Sequence, residues 1–121
     1  MTADRQKVTI TLPADTSFVA LARVAAASVA VELGFSVDEI ENLRIAVDEL
    51  VTILIDADPS DGTVTLVFTL EGSTFSMAGS VQDRRAAEST DPLTLQILRA
   101  VADTFHIDDL VCSFRAARTD G

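Results

Sequence analysis

The stretch that decides the fold is LRIAVDELVTILI, residues 43–55. Its apolar side chains recur at spacings of three and four residues, which is the period of a helix with one side in a protein core. The pattern starts at Ile40 and ends near Ala57. Just before it, Ser36-Val37-Asp38-Glu39 has the form of a capping box, in which a serine and a glutamate side chain accept hydrogen bonds from free backbone N–H groups. The sequence therefore predicts a long, half-buried helix that opens at this box.

Upstream of this helix, the sequence predicts a strand and another helix. Residues 6–12 alternate apolar side chains with threonines, which is the pattern of a half-buried strand, and Pro13 ends it. Asp15 or Thr16 can cap a helix that runs to Gly34, because glycine readily takes the left-handed conformation that ends helices.

This upstream helix is apolar on two sides. One stripe is expected to face the core and consists of Phe18, Leu21, Ala22, Ala25, Val29 and Leu33. A second strip consists of Val24, Ala27 and Val31. A helix that is apolar on two sides is packed on both, so the second strip lies either against the same domain or against a partner protein.

Downstream of residue 57, the pattern changes from helix to strand. A turn at 58–62 leads into two strand segments, 63–70 and 74–81, and the three residues between them predict a hairpin. The polar stretch that follows is expected to be a loop. Pro92 then suits the first turn of a helix, and residues 104–117 hold one or two more strands.

The order of these elements indicates the fold class. Hairpin-linked strands and a pair of consecutive helices predict an α+β fold, a two-layer sandwich with helices on one face of a mixed, mostly antiparallel sheet. A length of 121 residues suits one domain over the whole range 1–121.

The chain is strongly acidic, with 19 acidic and 9 basic residues and a formal net charge of -10. This charge repels phosphates and anionic lipid, so direct binding to nucleic acid or to a membrane is not expected. It either favours a basic protein partner or simply serves solubility. No apolar run approaches ~18 residues, and the start MTADRQK lacks the apolar stretch of a signal peptide. We therefore expect a cytoplasmic protein.

Cys112 and His106 carry no predicted site. The single cysteine has no partner for an internal disulfide and is expected to be a small core residue of a strand. His106 stands near Asp108 and Asp109, but no second histidine or cysteine lies at ligand spacing, so no metal site is predicted.

Residues 43–52, LRIAVDELVT, resemble the helix of histidine-kinase-like ATPases that carries Glu-x-x-x-Asn. The most similar subgroup is the bacterial anti-sigma factor serine kinases, whose helix often reads close to LRLAVDEACTN. The later segment LQILRAVADTFHI, 95–107, resembles the final helix and following strand of that family, and the hairpin falls in the same place. The resemblance covers about residues 6–115 and implies the histidine-kinase-like ATPase fold.

The resemblance gives Glu49 the position of the residue that acts on the attacking serine hydroxyl or water. The family's asparagine, four residues on, helps hold Mg²⁺, which prefers oxygen ligands. Ile53 stands at that position and offers no oxygen. From the residues alone, Glu49 is first of all a solvated helix carboxylate beside Asp48, and Asp48 is expected to pair with Arg44 one turn earlier.

Two further family boxes have lost their glycines. Asp-x-Gly-x-Gly corresponds to residues 83–87, where Asp83 keeps the place of the adenine contact while Arg85 and Ala87 replace the glycines. Gly-x-Gly-Leu falls at Pro92 and Thr94; proline has no N–H for a phosphate, and threonine is poorly suited to a positive φ. The resemblance thus leaves a vestigial nucleotide site at Asp83, Arg85 and Thr94, with Glu49 as a vestigial general base.

Residue-based alternatives remain for the loop around residue 83. Asp83 can be an ordinary loop acid. Arg84 and Arg85 can be simple loop charges or contacts for a phosphate or carboxylate.

The resemblance implies an anti-sigma-factor-like regulator that binds a sigma factor or its antagonist and forms a homodimer. We expect ATP binding to be lost or weak, as in a pseudokinase, so neither ATP nor Mg²⁺ is an expected cofactor. The alternative is an active ATP-dependent serine/threonine kinase that phosphorylates an anti-sigma factor antagonist. A third possibility is a pseudo-ATPase module that only dimerises and scaffolds another regulator.

Overall fold

The computed structural model describes residues 6–57, 62–72, 74–81, 92–102, 104–107 and 111–117. Its helices and strands are β1 (Gln6–Pro13), a 3-10 turn (Thr16–Phe18), α1 (Val19–Glu32), α2 (Val37–Ala57), β2 (Thr63–Glu71), β3 (Thr74–Val81), α3 (Pro92–Val101), β4 (Thr104–Ile107) and β5 (Val111–Ala117). The elements predicted from the sequence are present in the predicted order, and the last region forms two strands. The α+β fold class is confirmed.

The five strands form one sheet in the order β1-β2-β3-β5-β4. All four described pairings are antiparallel, whereas the sequence predicted a mixed, mostly antiparallel sheet. The reason lies in the connections. Two consecutive helices, α1 and α2, return the chain so that β2 runs opposite to β1. The single helix α3 makes β4 run in the direction of β3, but β5 lies between them, so these two strands do not pair.

Helix α2 lies at the centre of the helical layer, packed against α1, α3 and the sheet. Its inward side is fully buried and consists of Leu43, Ala46, Val47, Leu50 and Leu54. Opposite it, alternate residues of the hairpin point into the core, and the rings of Phe68 and Phe75 lie 5.5 Å apart, centre to centre. The intervening hairpin residues lie on the other face of the sheet, which carries mainly threonine and serine.

Helix α1 meets the core through a line of small residues. Ala22, Ala26 and Ala30 are fully buried, and their spacing of four places them on one side of the helix. Leu21, which the sequence placed in the core stripe, is 48% exposed. That expectation was wrong because the alanine line, one residue further round the helix, makes the contact with the core.

The second strip on α1 faces outward. Val24 and Val31 are 60% and 59% exposed, so these two valines do not pack within the described part of the domain. Ala27, between them, is half-buried.

The helix ends follow the capping chemistry read from the sequence. Ser36 N–H donates to Glu39 Oε1 at 2.7 Å, and Glu39 N–H donates to Ser36 Oγ at 3.1 Å, which confirms the capping box of α2. Gly34 has φ of 82° and ends α1. Before α1, Asp15 caps the 3-10 turn Thr16–Phe18, and α1 itself begins after Phe18 without a side-chain cap. Asp15 accepts hydrogen bonds from the Ser17 N–H and hydroxyl, and these bonds lower the pKa of Asp15 below its ordinary value.

Among the described residues, no helix combines the length and the apolar character that crossing a bilayer requires.

We predict that Ser36→Ala lowers the free energy of unfolding by about 1 kcal/mol, because the Glu39 N–H loses its side-chain acceptor. Urea denaturation measures this. The matched control is Ser28→Ala on the exposed side of α1, where alanine is at least as good a helix former and no loss is expected. Equal stability of the two variants would show that the capping box does not stabilise α2.

Candidate functional site

Glu49 lies on the outward side of α2, in an open cleft between α1 and α2. The cleft has a volume of about 260 Å³. It is lined by Arg23, Glu41, Arg44, Ile45, Asp48 and Glu49. Five of these six side chains are charged, three acidic and two basic. Their surroundings are therefore electrostatically mixed, with one negative charge in excess.

The charged pairs in the cleft differ from the expected one. Asp48 Oδ1 lies 3.8 Å from Arg23 Nε on α1, and Arg44 Nη1 lies 3.4 Å from Glu41 Oε1. The expected pairing of Arg44 with Asp48 is wrong because each side chain has another partner within reach: α1 packs alongside α2 and places Arg23 beside Asp48. Both pairs are partly exposed, so each stabilises the fold by at most ~1 kcal/mol.

Arg23 is the cleft residue that sequence reasoning missed. Its Nε atom is buried and has no hydrogen-bond partner among the described residues, since 3.8 Å to Asp48 is too long for a hydrogen bond. The signal in the sequence was a lone cation within the apolar run of α1, in a chain with more than twice as many acidic as basic residues. This guanidinium is available to a hydrogen-bond acceptor that enters the cleft.

Ile53 occupies the position one turn after Glu49, where the resemblance expects an asparagine for Mg²⁺. Its side chain is only 7% exposed and belongs to the hydrophobic core. The position therefore carries buried hydrocarbon in place of an oxygen ligand. Among the described residues, no group of three or more His, Cys, Asp and Glu side chains is arranged to hold a metal ion.

Thr94 and Pro92 both lie in the first turn of α3. The backbone there is helical, whereas the resemblance expects a glycine-rich loop that closes over phosphates. Thr94 is half-buried and is not among the residues that line the cleft at Glu49.

The remaining predicted site residues lie outside the described part of the chain. These are Asp83 and Arg85, together with their neighbours Arg84 and Ala87. The acidic residues near His106, and the side chains of His106 and Cys112, lie outside it as well.

Relatives of the chain are found by sequence. The serine-protein kinase RsbW of Bacillus cereus strain B4264 is 37% identical over 67 residues, which are 54% of this chain and 42% of that protein. The RsbW of Halalkalibacterium halodurans is 36% identical over 66 residues, which are 54% of this chain and 41% of that protein. The match thus spans less than half the length of these relatives. No protein-family model matches the chain.

The fold has a counterpart among solved structures. The crystal structure of the RsbU and RsbW domains of Rv1364c from Mycobacterium tuberculosis superposes with a TM-score of 0.75 at 14% sequence identity. The superposition covers 96% of this chain and 33% of that one, so almost every element described above has an equivalent there. The resemblance seen in residues 43–52 is therefore confirmed as a similarity: over about half of its length the chain is similar in sequence to RsbW serine-protein kinases, and its fold matches that of a solved structure that contains an RsbW domain.

Proposed function

We propose that this chain is an anti-sigma-factor-like regulator that acts by binding a sigma factor or a sigma-factor antagonist, with Mg-ATP binding lost or weak. The observation that carries the proposal is the burial of Ile53 in the hydrophobic core at the family's metal-binding position. A buried aliphatic side chain cannot replace a carbonyl oxygen on Mg²⁺. Restoring an oxygen there would place an amide among apolar side chains, which is costly without a hydrogen-bond partner.

The start of α3 supports the same conclusion. Phosphate-binding loops use consecutive backbone N–H groups that are free to approach the ligand. Pro92 has no N–H, and Thr94 lies within the helix, so this segment has lost the conformational freedom of two glycines. Two separate parts of the nucleotide site that the resemblance implies thus lack the groups that ATP and Mg²⁺ need.

The exposed strip on α1 supports protein binding. Val24 and Val31 lie on the outward side of a helix that also carries Arg23, one of the residues lining the cleft of mixed charge. Apolar anchors supply affinity when a partner covers them, and the charges at their rim set orientation and association rate. With a net charge of -10, the chain is suited to a partner with apolar side chains flanked by basic ones.

The proposal includes a homodimer and a site of action away from DNA. Both come from the family resemblance, and the acidic charge supports the second because it repels phosphate backbones.

The second candidate function is an active serine/threonine kinase. One observation favours it: Glu49 keeps the family's catalytic position and lines a cleft that solvent can enter. A kinase would use Glu49 to take the proton from the serine hydroxyl of a bound antagonist. It would have to hold the nucleotide without the oxygen missing at Ile53.

We predict that isothermal titration calorimetry detects no Mg-ATP binding tighter than ~100 μM, a free energy of about -5.5 kcal/mol. Incubation with radiolabelled ATP and an antagonist protein is expected to transfer no label. Tighter binding, or label transfer that Glu49→Ala abolishes, would establish the kinase instead.

We predict that Ile53→Asn lowers the free energy of unfolding by about 3 kcal/mol, because it removes core hydrocarbon and buries an amide. Ile53→Val is the matched control and should cost about 1 kcal/mol. Chemical denaturation compares the two. If asparagine is tolerated as well as valine, position 53 is able to face a nucleotide site.

We predict that Val24→Glu weakens partner binding at least tenfold, because it replaces one of the two exposed valines of the apolar strip by a charged residue. Leu93→Glu, at a position that is also 60% exposed but lies on α3, is the control and should leave binding unchanged. Affinity capture from the source cell, with mass spectrometry of what is bound, provides the readout. Recovery of a sigma factor or antagonist by both variants alike would place the contact elsewhere, and recovery of neither protein by the unmodified chain would contradict the regulator.

A further inference from the structure

The cleft between α1 and α2 contains one carboxylate that no cation of the described chain neutralises. Asp48 is paired with Arg23, and Glu41 is paired with Arg44. Among the described residues, Glu49 takes part in no ion pair and no hydrogen bond. The negative charge in excess within the cleft is therefore that of Glu49.

Glu49 is also partly removed from water. The residue is half-buried, and so is Ile45, which lies one turn earlier on the same line of α2. Two opposite charges attract each other more strongly where protein replaces part of the surrounding water, because the screening is weaker there. A cation that enters the cleft is therefore attracted more strongly to Glu49 than to a carboxylate on the open surface.

The size of the cleft suits a single side chain. Its volume of about 260 Å³ lies below the ~300–1,000 Å³ that is typical of sites for drug-sized ligands. Ile45 offers an apolar wall for a methylene stem, and Glu49 offers a negative charge for a head group. The cleft thus favours a ligand that is aliphatic along its length and positively charged at its end.

Arginine has both of these parts. Its stem packs on apolar surface, while its planar guanidinium pairs with a carboxylate through two parallel hydrogen bonds. A guanidinium is also more weakly hydrated than the ammonium group of lysine, so it loses less on entering a half-buried site.

An anionic ligand fits the same cleft less well. Both cations, Arg23 and Arg44, already face carboxylates of their own. An anion that approaches either of them also approaches the unpaired charge of Glu49, which repels it.

The cleft adjoins the apolar strip on α1. Arg23, which lines the cleft, is followed directly by Val24 of the strip. Successive residues of a helix point about 100° apart, so the strip and the cleft face neighbouring directions. A partner that covers Val24 is therefore close enough to place another of its side chains in the cleft.

We propose that the cleft receives an arginine side chain of the protein partner, whose guanidinium pairs with Glu49 while its stem packs on Ile45. The position that the resemblance assigns to a general base thus serves as a charged recognition residue. The partner is one that carries an arginine beside the apolar side chains that cover Val24 and Val31. This inference deepens the proposed function and rests on it.

Titration of the ¹⁵N-labelled full chain with N-acetyl-L-arginine amide tests the cleft directly, because the only charge of this compound is its guanidinium. Amide chemical shifts should change saturably around Ile45 and Glu49. N-acetyl-L-citrulline amide, in which a neutral urea group replaces the guanidinium, should bind about fivefold more weakly, as expected for the loss of one partly exposed ion pair. Equal binding of the two compounds, or binding of neither, would overturn the proposal.

Two matched substitutions locate the contact. Glu49→Gln keeps the shape of the side chain and removes its charge, and it should weaken binding of the arginine compound about fivefold. Glu32→Gln removes the same charge from an exposed residue of α1 that does not line the cleft, and it should leave binding unchanged. Equal affinities of the two variants would show that Glu49 does not hold the guanidinium. Melting followed by circular dichroism checks that both fold.

Arg44→Gln tests the sign of the ligand's charge and also decides the matter if Glu49→Gln does not fold. It removes a cation from the cleft and leaves Glu41 without its partner, so the arginine compound should bind about threefold more tightly. N-acetyl-L-glutamate amide is the anionic probe and should not bind. Saturable binding of the anionic probe that Arg44→Gln weakens would make the cleft an anion site and overturn the proposal.

The inference and the proposed function fail differently. If a captured sigma factor or antagonist binds the Glu49→Gln variant as tightly as the native chain, the regulator stands and the arginine contact is overturned. If neither protein is captured while the arginine compound binds at Glu49, the cation site stands and the regulator is overturned.

Discussion

The burial of one side of α2 is the constraint on which the rest of the structure depends. Leu43, Leu50 and Leu54 are fully enclosed by α1, α3 and the sheet. Truncating a leucine in such a position to alanine typically costs about 2–5 kcal/mol, several times more than an exposed ion pair contributes. The apolar side of α2 therefore sets the orientation of the helix. That orientation in turn fixes the position of each polar side chain on α2.

This constraint explains how the kinase-type fold and an altered site coexist. The orientation of α2 holds Glu49 in the cleft beside α1 and turns Ile53 into the core. Isoleucine at position 53 contributes hydrocarbon to the core and offers no oxygen to a metal ion. The fold does not need the catalytic groups, and the apolar strip proposed for partner binding lies on another element, the outward side of α1.

Much of the fold could be predicted from the sequence because its signals are local. Helix periodicity, the Ser36–Glu39 capping box, the helix-ending glycine and the hairpin pattern each act over a few residues. The sheet order could not be predicted in this way, since the insertion of β5 between β3 and β4 depends on contacts between distant segments. The sequence placed Leu21 in the core because a helix that is apolar on two sides does not show which side packs against the core. In the structure the side with the three buried alanines packs there.

The candidate site was predicted less completely, again for a physical reason. The resemblance identified Glu49 and the replacement at Ile53 because both lie in one continuous helix motif. The cleft combines residues of two helices, so the contact between Arg23 and Asp48 followed only from the packing of α1 against α2. Asp83 and Arg85 lie in a stretch that the structure does not describe, and their role as a vestigial nucleotide site stays a prediction.

The central claim is that the chain binds a protein partner through the outward side of α1 and does not bind Mg-ATP near Glu49 and Ile53. Amide chemical shifts of the ¹⁵N-labelled chain, recorded first with Mg-ATP and then with a sigma factor or antagonist recovered from the source cell, test it in one sample. The account predicts that Mg-ATP leaves the amides of Glu49 to Leu54 and of the first turn of α3 unchanged, and that the protein partner shifts those of α1 around Val24 and Val31. Saturable shifts at Glu49 and Ile53 with Mg-ATP, and none on α1 with the partner, would contradict it.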